Sequence, residues 1–203
     1  MRNLILVLAF LLSGSIAVKG KNLYVNDKDT LLHYFDDAKA QLLASIDGLS
    51  DEQFNFKPDA NSWSIGQCVE HIAKTEGMLR DMVIDLLAKP ANPEKRGEIK
   101  TSGAQVVSMM QDRSFKAEAP EMLRPQSNTY NLKNELAVLE KERNITLDLI
   151  NDTPEEELRN HITITPAKEY TDAYRFLLYI AGHSLRHTAQ IEEIKKASGF
   201  PKQ

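Results

Sequence analysis

Apolar residues recur at intervals of three and four between Asp29 and Leu49, at Leu31, Leu32, Phe35, Ala38, Leu42, Ile46 and Leu49. That spacing is the signature of an amphipathic helix, and it leaves His33 on the polar side. A second helix starts at Ser64, which with Gln67 forms a capping box, and Trp63 before the cap is placed to pack on Cys68 as a hydrophobic staple. It runs to about Ala88, where Lys89-Pro90-Ala91-Asn92-Pro93 stops it. A third spans Leu132 to Ile150, and the last runs from Thr171 to Ser198 before the glycine stop Gly199-Phe200-Pro201. From Pro93 to Asn131 the periodicity weakens and Gly97, Gly103, Pro120 and Pro125 punctuate the chain, with room for a short helix over Ala104 to Asp112. His161 to Thr165 reads as a short extended stretch within the connection from Pro154 to Tyr170. The expected architecture is all-α: a four-helix bundle with a long irregular insert between the second and third helices.

Residues 1–17 depart from this pattern, with Arg2, an apolar run from Leu4 to Leu12, and small residues at Ser15 and Ala17. They read as a secretory signal cut after Ala17, since an anchor needs about 20 uninterrupted apolar residues. Expected organisation is thus 1–17 signal, 18–28 an N-terminal extension and 29–203 one helical domain, exported to a periplasm or the exterior. A formal charge of −4 gives no reason to expect nucleic acid or an anionic membrane as partner. The single cysteine, Cys68, excludes an intramolecular disulfide and Cys-x-x-Cys chemistry, and its apolar side of the helix makes it a buried thiol. Met78, Met82, Met109 and Met110 read as packing residues.

With cysteine chemistry excluded, histidine becomes informative. Winding the last helix at about 100° per residue puts His183 and His187 in the apolar stripe, four apart and on one side. His71 lies at the edge of the second helix's stripe, where it can face a neighbouring helix, whereas His33 and His161 read as surface and loop. Such a set suits either a metal site or core histidines satisfied by backbone and water. Gln190, one turn beyond His187, is placed to orient a ring or hold a ligand of the ion. Glu76 and Arg143 also fall within apolar stripes, and because unpaired burial is costly they are expected to face each other. A functional version makes Glu76 a general base and Arg143 an anchor for an anionic substrate; a structural version makes them an ion pair.

Three segments together resemble a known family. They are Trp63-Ser64-Ile65-Gly66-Gln67-x-x-x-His71-Ile72-x-x-x-Glu76, then Phe115-Lys116-Ala117-x-Ala119-Pro120-Glu121-x-Leu123-x-Pro125, and His183-x-x-x-His187-x-x-Gln190-Ile191 followed by Phe200-Pro201. In order and spacing they are similar to the DinB-like superfamily, including its YfiT-like metal-dependent hydrolases. The resemblance implies an up-down-down-up bundle in which His71, His183 and His187 bind a divalent metal, and zinc and nickel both suit imidazole ligation. It implies hydrolysis, or thiol-dependent transfer or isomerisation, on a small-molecule substrate. The competing expectation is a non-catalytic binding module with a structural or vestigial ion that presents its insert to a partner. A homodimer is one assembly that the sequence leaves open.

Overall fold

The computed structural model describes residues 27–114 and 118–202. The signal and most of the extension expected over residues 1–28 therefore lie outside the described residues, as does the Phe115-Lys116-Ala117 part of the family-like segment. Helix α1 (Asp27–Ile46) is followed by the short α2 (Asp51–Asn55), α3 (Ile65–Leu87), α4 (Gly103–Gln111), α5 (Leu132–Asp152), the short α6 (Glu155–Asn160), a hairpin of β1 (Ile162–Ile164) and β2 (Tyr170–Asp172), and α7 (Ala173–Lys195). The strands pair antiparallel with Ile162 opposite Asp172. No described helix is long and apolar enough to cross a membrane.

The long helices start where their caps dictate. Ser64 accepts from the Gln67 amide while the Gln67 side chain accepts from the Ser64 amide, so α3 begins with the reciprocal pair that its sequence encodes. The same arrangement at Ser50 and Gln53 builds the five-residue α2. The last helix starts two residues later than its periodicity suggests. Thr171 and Asp172 belong to β2, and the Asp172 side chain then caps α7 by accepting from the Arg175 amide. Helix α1 extends from Asp27 to Ile46, and the chain turns at Gly48 with a φ of 68°.

Contacts between ends fix the helix directions. Lys28 at the start of α1 donates to the Asn151 carbonyl at the end of α5, at 2.7 Å, so these two run oppositely. Lys195 at the end of α7 donates to the Ser45 carbonyl near the end of α1, and Asp27 and Asp172 at their starts share Arg159, so α1 and α7 run together. Gly66 abuts Tyr130 just before α5, and Glu76 meets Arg143 farther along, so α3 and α5 are parallel to each other. The order is up, down, down, up. Helix α4 lies against α7, and a Cβ on Gly182 would sit 2.8 Å from the Met110 Cβ, so glycine there permits the close approach. Met110 is half-buried at this contact, but Met82 and Met109 are exposed at 43% and 54% and do not pack as expected. The nine-residue α4 buries one face only, through Val106 and Val107, and Met109 falls on the other.

Buried apolar side chains form two clusters. One takes Leu31, Phe35, Val83, Leu86, Ile150 and Leu177, and the other Leu42, Ile46, Val69, Ile72, Leu139 and Ile191. Between those stretches of α3, α5 and α7 the buried positions turn polar: Thr75, Glu76, Arg143, Thr146, Ser184, His187 and Thr188. The bundle has a polar waist.

Candidate metal centre

His71 comes from the second turn of α3, and His183 and His187 from successive turns of α7, the helix packed against it. His71 and His187 are buried at 4% and 8% exposure, while His183 is half-buried. Their Nε2 atoms converge. The Nε2 of His183 lies 3.2 Å from that of His71 and 3.1 Å from that of His187.

The opposite edges of two rings fix which nitrogen carries hydrogen. The Nδ1 of His71 donates to the Leu123 carbonyl at 2.8 Å, and the Nδ1 of His187 donates to Gln190 Oε1 at 2.8 Å. In a neutral ring with its proton on Nδ1, Nε2 is a bare lone pair. Two such lone pairs face His183 Nε2, which has one proton at most and satisfies only one of them. A cation satisfies all three. Nitrogens bound at about 2.0 to 2.1 Å to a tetrahedral zinc lie roughly 3.3 Å apart, close to the separations found. Among the described residues these three are the group of histidine, cysteine and carboxylate side chains arranged to hold an ion.

Electrostatics keep the rings in the ligating form. Desolvation, then the neighbouring His71 ring, pushes the His187 pKa down to about 3. Burial followed by the adjacent His187 and His71 holds His183 well below its usual value, and burial lowers His71 as well. The Trp63 indole covers the cluster, stacked on His187 with centroids 6.0 Å apart and tilted against His71 at 4.9 Å. Thr75, one turn after His71, and Ser184, the residue after His183, have buried hydroxyls without a hydrogen-bond partner among the described residues.

The other expected residues are placed differently. Glu76 and Arg143 do face each other, with 1% and 4% of their side chains exposed. Arg143 Nε donates to both Glu76 oxygens at 2.9 and 3.1 Å, Nη2 donates to Oε2 at 3.0 Å, and Nη1 donates to the Phe35 carbonyl at 3.1 Å. This is the structural version of the pair. Arg143 also lines an apolar cavity of about 120 Å³ with Leu42, Leu136 and Leu139, to which none of the three imidazoles contributes. Gln190 orients a ring, as its spacing suggested. His33 is exposed. His161 is buried rather than in an open loop, its ring nitrogens 2.8 and 3.0 Å from the Glu157 and Lys89 carbonyl oxygens. Cys68 is buried, which pushes its thiol up to about 12. Sequence reading missed the Leu123 carbonyl, for which no side-chain signal exists, and took Trp63 for a staple alone.

Comparison with known proteins bears on the fold and the family. A YuaE protein of Bacillus subtilis (strain 168), itself uncharacterised, is 26% identical over 165 residues, covering 80% of this chain and 95% of its own. The solved structure of YfiT from Bacillus subtilis, described as a probable metal-dependent hydrolase with an unusual four-helix bundle topology, superposes with a TM-score of 0.59 at 17% identity, covering 89% of this chain and 93% of that one. Residues 34–191 match the family model of the DinB superfamily. The chain belongs to the DinB superfamily.

Proposed function

We propose that this protein is a divalent-metal-dependent hydrolase acting on a small molecule, with the ion held by His71, His183 and His187. The observation that carries the reading is the convergence of three Nε2 atoms while two Nδ1 protons are committed to oxygen acceptors. The description of YfiT as a probable metal-dependent hydrolase lends support at the level of the fold. Zinc and nickel both suit three imidazoles.

When bound, such an ion supplies a Lewis acid and brings the pKa of water near 7. The chain's residues do the positioning. Leu123 and Gln190 hold two rings in one tautomer, and Trp63 shields them from bulk water. Glu76 has both oxygens occupied by Arg143, so in this reading the pair is a structural pillar rather than base and anchor. Half-buried His183 is the ligand reached from solvent. Export, as expected from residues 1–17, argues against the thiol-transferase reading, because low-molecular-weight thiol cofactors are cytosolic.

The test is metal analysis of the purified protein beside His183→Ala/His187→Ala, followed by an ester, amide and phosphoester panel with the metal-free and reloaded forms. One ion per chain, lost in the double variant, together with turnover that returns on reloading is expected. Metal content unaffected by the substitutions sinks the site. A bound ion without turnover on any substrate favours the non-catalytic module.

A further inference from the structure

The described part of the insert is tied down next to a metal ligand. From Pro120 to Tyr130 the chain runs across the first two turns of α3 and is fastened by side chains at four places. Gln67 Nε2 donates to the Ser127 carbonyl at 3.2 Å. Glu70 Oε2 accepts from the Gln126 amide at 3.2 Å and from the Tyr130 hydroxyl at 2.6 Å. Asn55 accepts from the Tyr130 amide at 2.7 Å and donates to its carbonyl at 2.9 Å. At Gly66 the absent Cβ leaves room for the Tyr130 side chain, whose Cβ a methyl group would meet at 2.7 Å and whose ring it would meet at 2.8 Å. At the other end of this strap a tight turn, with the Leu123 amide donating to the Pro120 carbonyl at 2.9 Å, presents the Leu123 carbonyl to His71 Nδ1.

Glu70 and His71 are adjacent in sequence, so one fastens the strap and the other receives its carbonyl. We propose that Glu70 and Tyr130 are positioning residues of the metal centre, and that order in the Pro120–Tyr130 strap is thermodynamically coupled to metal binding. The proposal rests on the three-histidine reading above. With the strap in place, His71 is held in the Nδ1-protonated tautomer with Nε2 toward His183. With the strap released, the ring loses the Leu123 carbonyl that fixes its tautomer, the Nδ1 acceptor found among the described residues. Partners of metal-bound histidines commonly change affinity by about 10- to 100-fold when removed. Linkage makes the effect reciprocal: whatever factor the strap contributes to ion affinity, the ion returns to strap order.

Cobalt(II) is the probe, titrated by visible absorption into the metal-free wild type, Tyr130→Phe and Glu70→Gln, at a temperature where each is folded. Stability of each metal-free form is measured separately by urea unfolding. A dissociation constant about tenfold weaker in both variants is expected. In the wild type, cobalt should slow hydrogen exchange of the Gln126, Ser127 and Tyr130 amides by a similar factor. A role confined to folding would lower urea stability and leave the dissociation constant of the folded protein unchanged. Affinities within twofold of wild type, or exchange unaffected by cobalt, overturn the coupling while leaving the site intact. A wild type that takes up no cobalt overturns the three-histidine reading itself.

Discussion

An imidazole whose Nδ1 proton is committed to an oxygen acceptor offers one lone pair, and a protein that aims three Nε2 atoms at one point has arranged a repulsion that an ion relieves. Burial reinforces the arrangement by disfavouring protonation, His187 being carried down to about 3. A pH dependence follows for the metal-free protein. The unfolded chain takes up a proton on such a histidine near pH 6.5 and the folded one does not until far lower. The stability that each neutral ring contributes is complete above about pH 6.5 and is lost as pH falls toward 3. At pH 5 the loss is on the order of 2 kcal/mol for a ring shifted this far. Urea unfolding of the metal-free protein at pH 7 and pH 5 should show that drop, and His187→Gln should reduce it; equal stability at both values would contradict the buried, neutral state. At this scale the sequence was readable where identity is carried by a side chain. His183, His187 and Gln190 sit on one side of a helix by arithmetic alone. The Leu123 carbonyl was not readable, because any residue supplies one and its place depends on how the insert folds back.

Each long helix was visible in its apolar period, since burying one face against neighbours requires that spacing. The short α2 and α6 and the hairpin were harder to see: five or six residues hold too few apolar positions for a period, and β1 and β2 have three residues each. Polar residues within the apolar stripes were the more telling signal. Glu76, Arg143 and His187 all interrupt a core face, and all belong to the waist between the two apolar clusters. The Glu76–Arg143 pair joins α3 to α5, and through the Phe35 carbonyl and ring to α1. Removing one partner strands a buried charge, so Arg143→Met should lose about 3 to 5 kcal/mol, whereas Glu76→Leu/Arg143→Met should recover most of it. Chemical denaturation of the two variants and wild type measures both. A single variant as stable as wild type would show that the pair carries no such constraint.

On the scale of the whole molecule, the up-down-down-up order places α3 and α7 side by side in opposite directions, which brings an early turn of α3 to the middle of α7. A histidine at position 71 therefore meets a pair at 183 and 187 across more than a hundred residues of sequence. The periodicity gave four helices without their order; the resemblance to the DinB-like superfamily supplied it, and the contacts of Lys28, Lys195 and Arg143 bear it out. The insert, whose pattern suggested a loop with room for one short helix, lays its Pro120–Tyr130 part on α3 and brings a backbone acceptor to the site. Fold, family and insert thus meet at the three imidazoles, and X-ray absorption of the zinc-loaded protein at the zinc edge probes that meeting point directly. Three histidine nitrogens at about 2.0 to 2.1 Å, with the multiple scattering of imidazole rings, is the expected spectrum. A shell of oxygen donors with no imidazole scattering would contradict the centre described above.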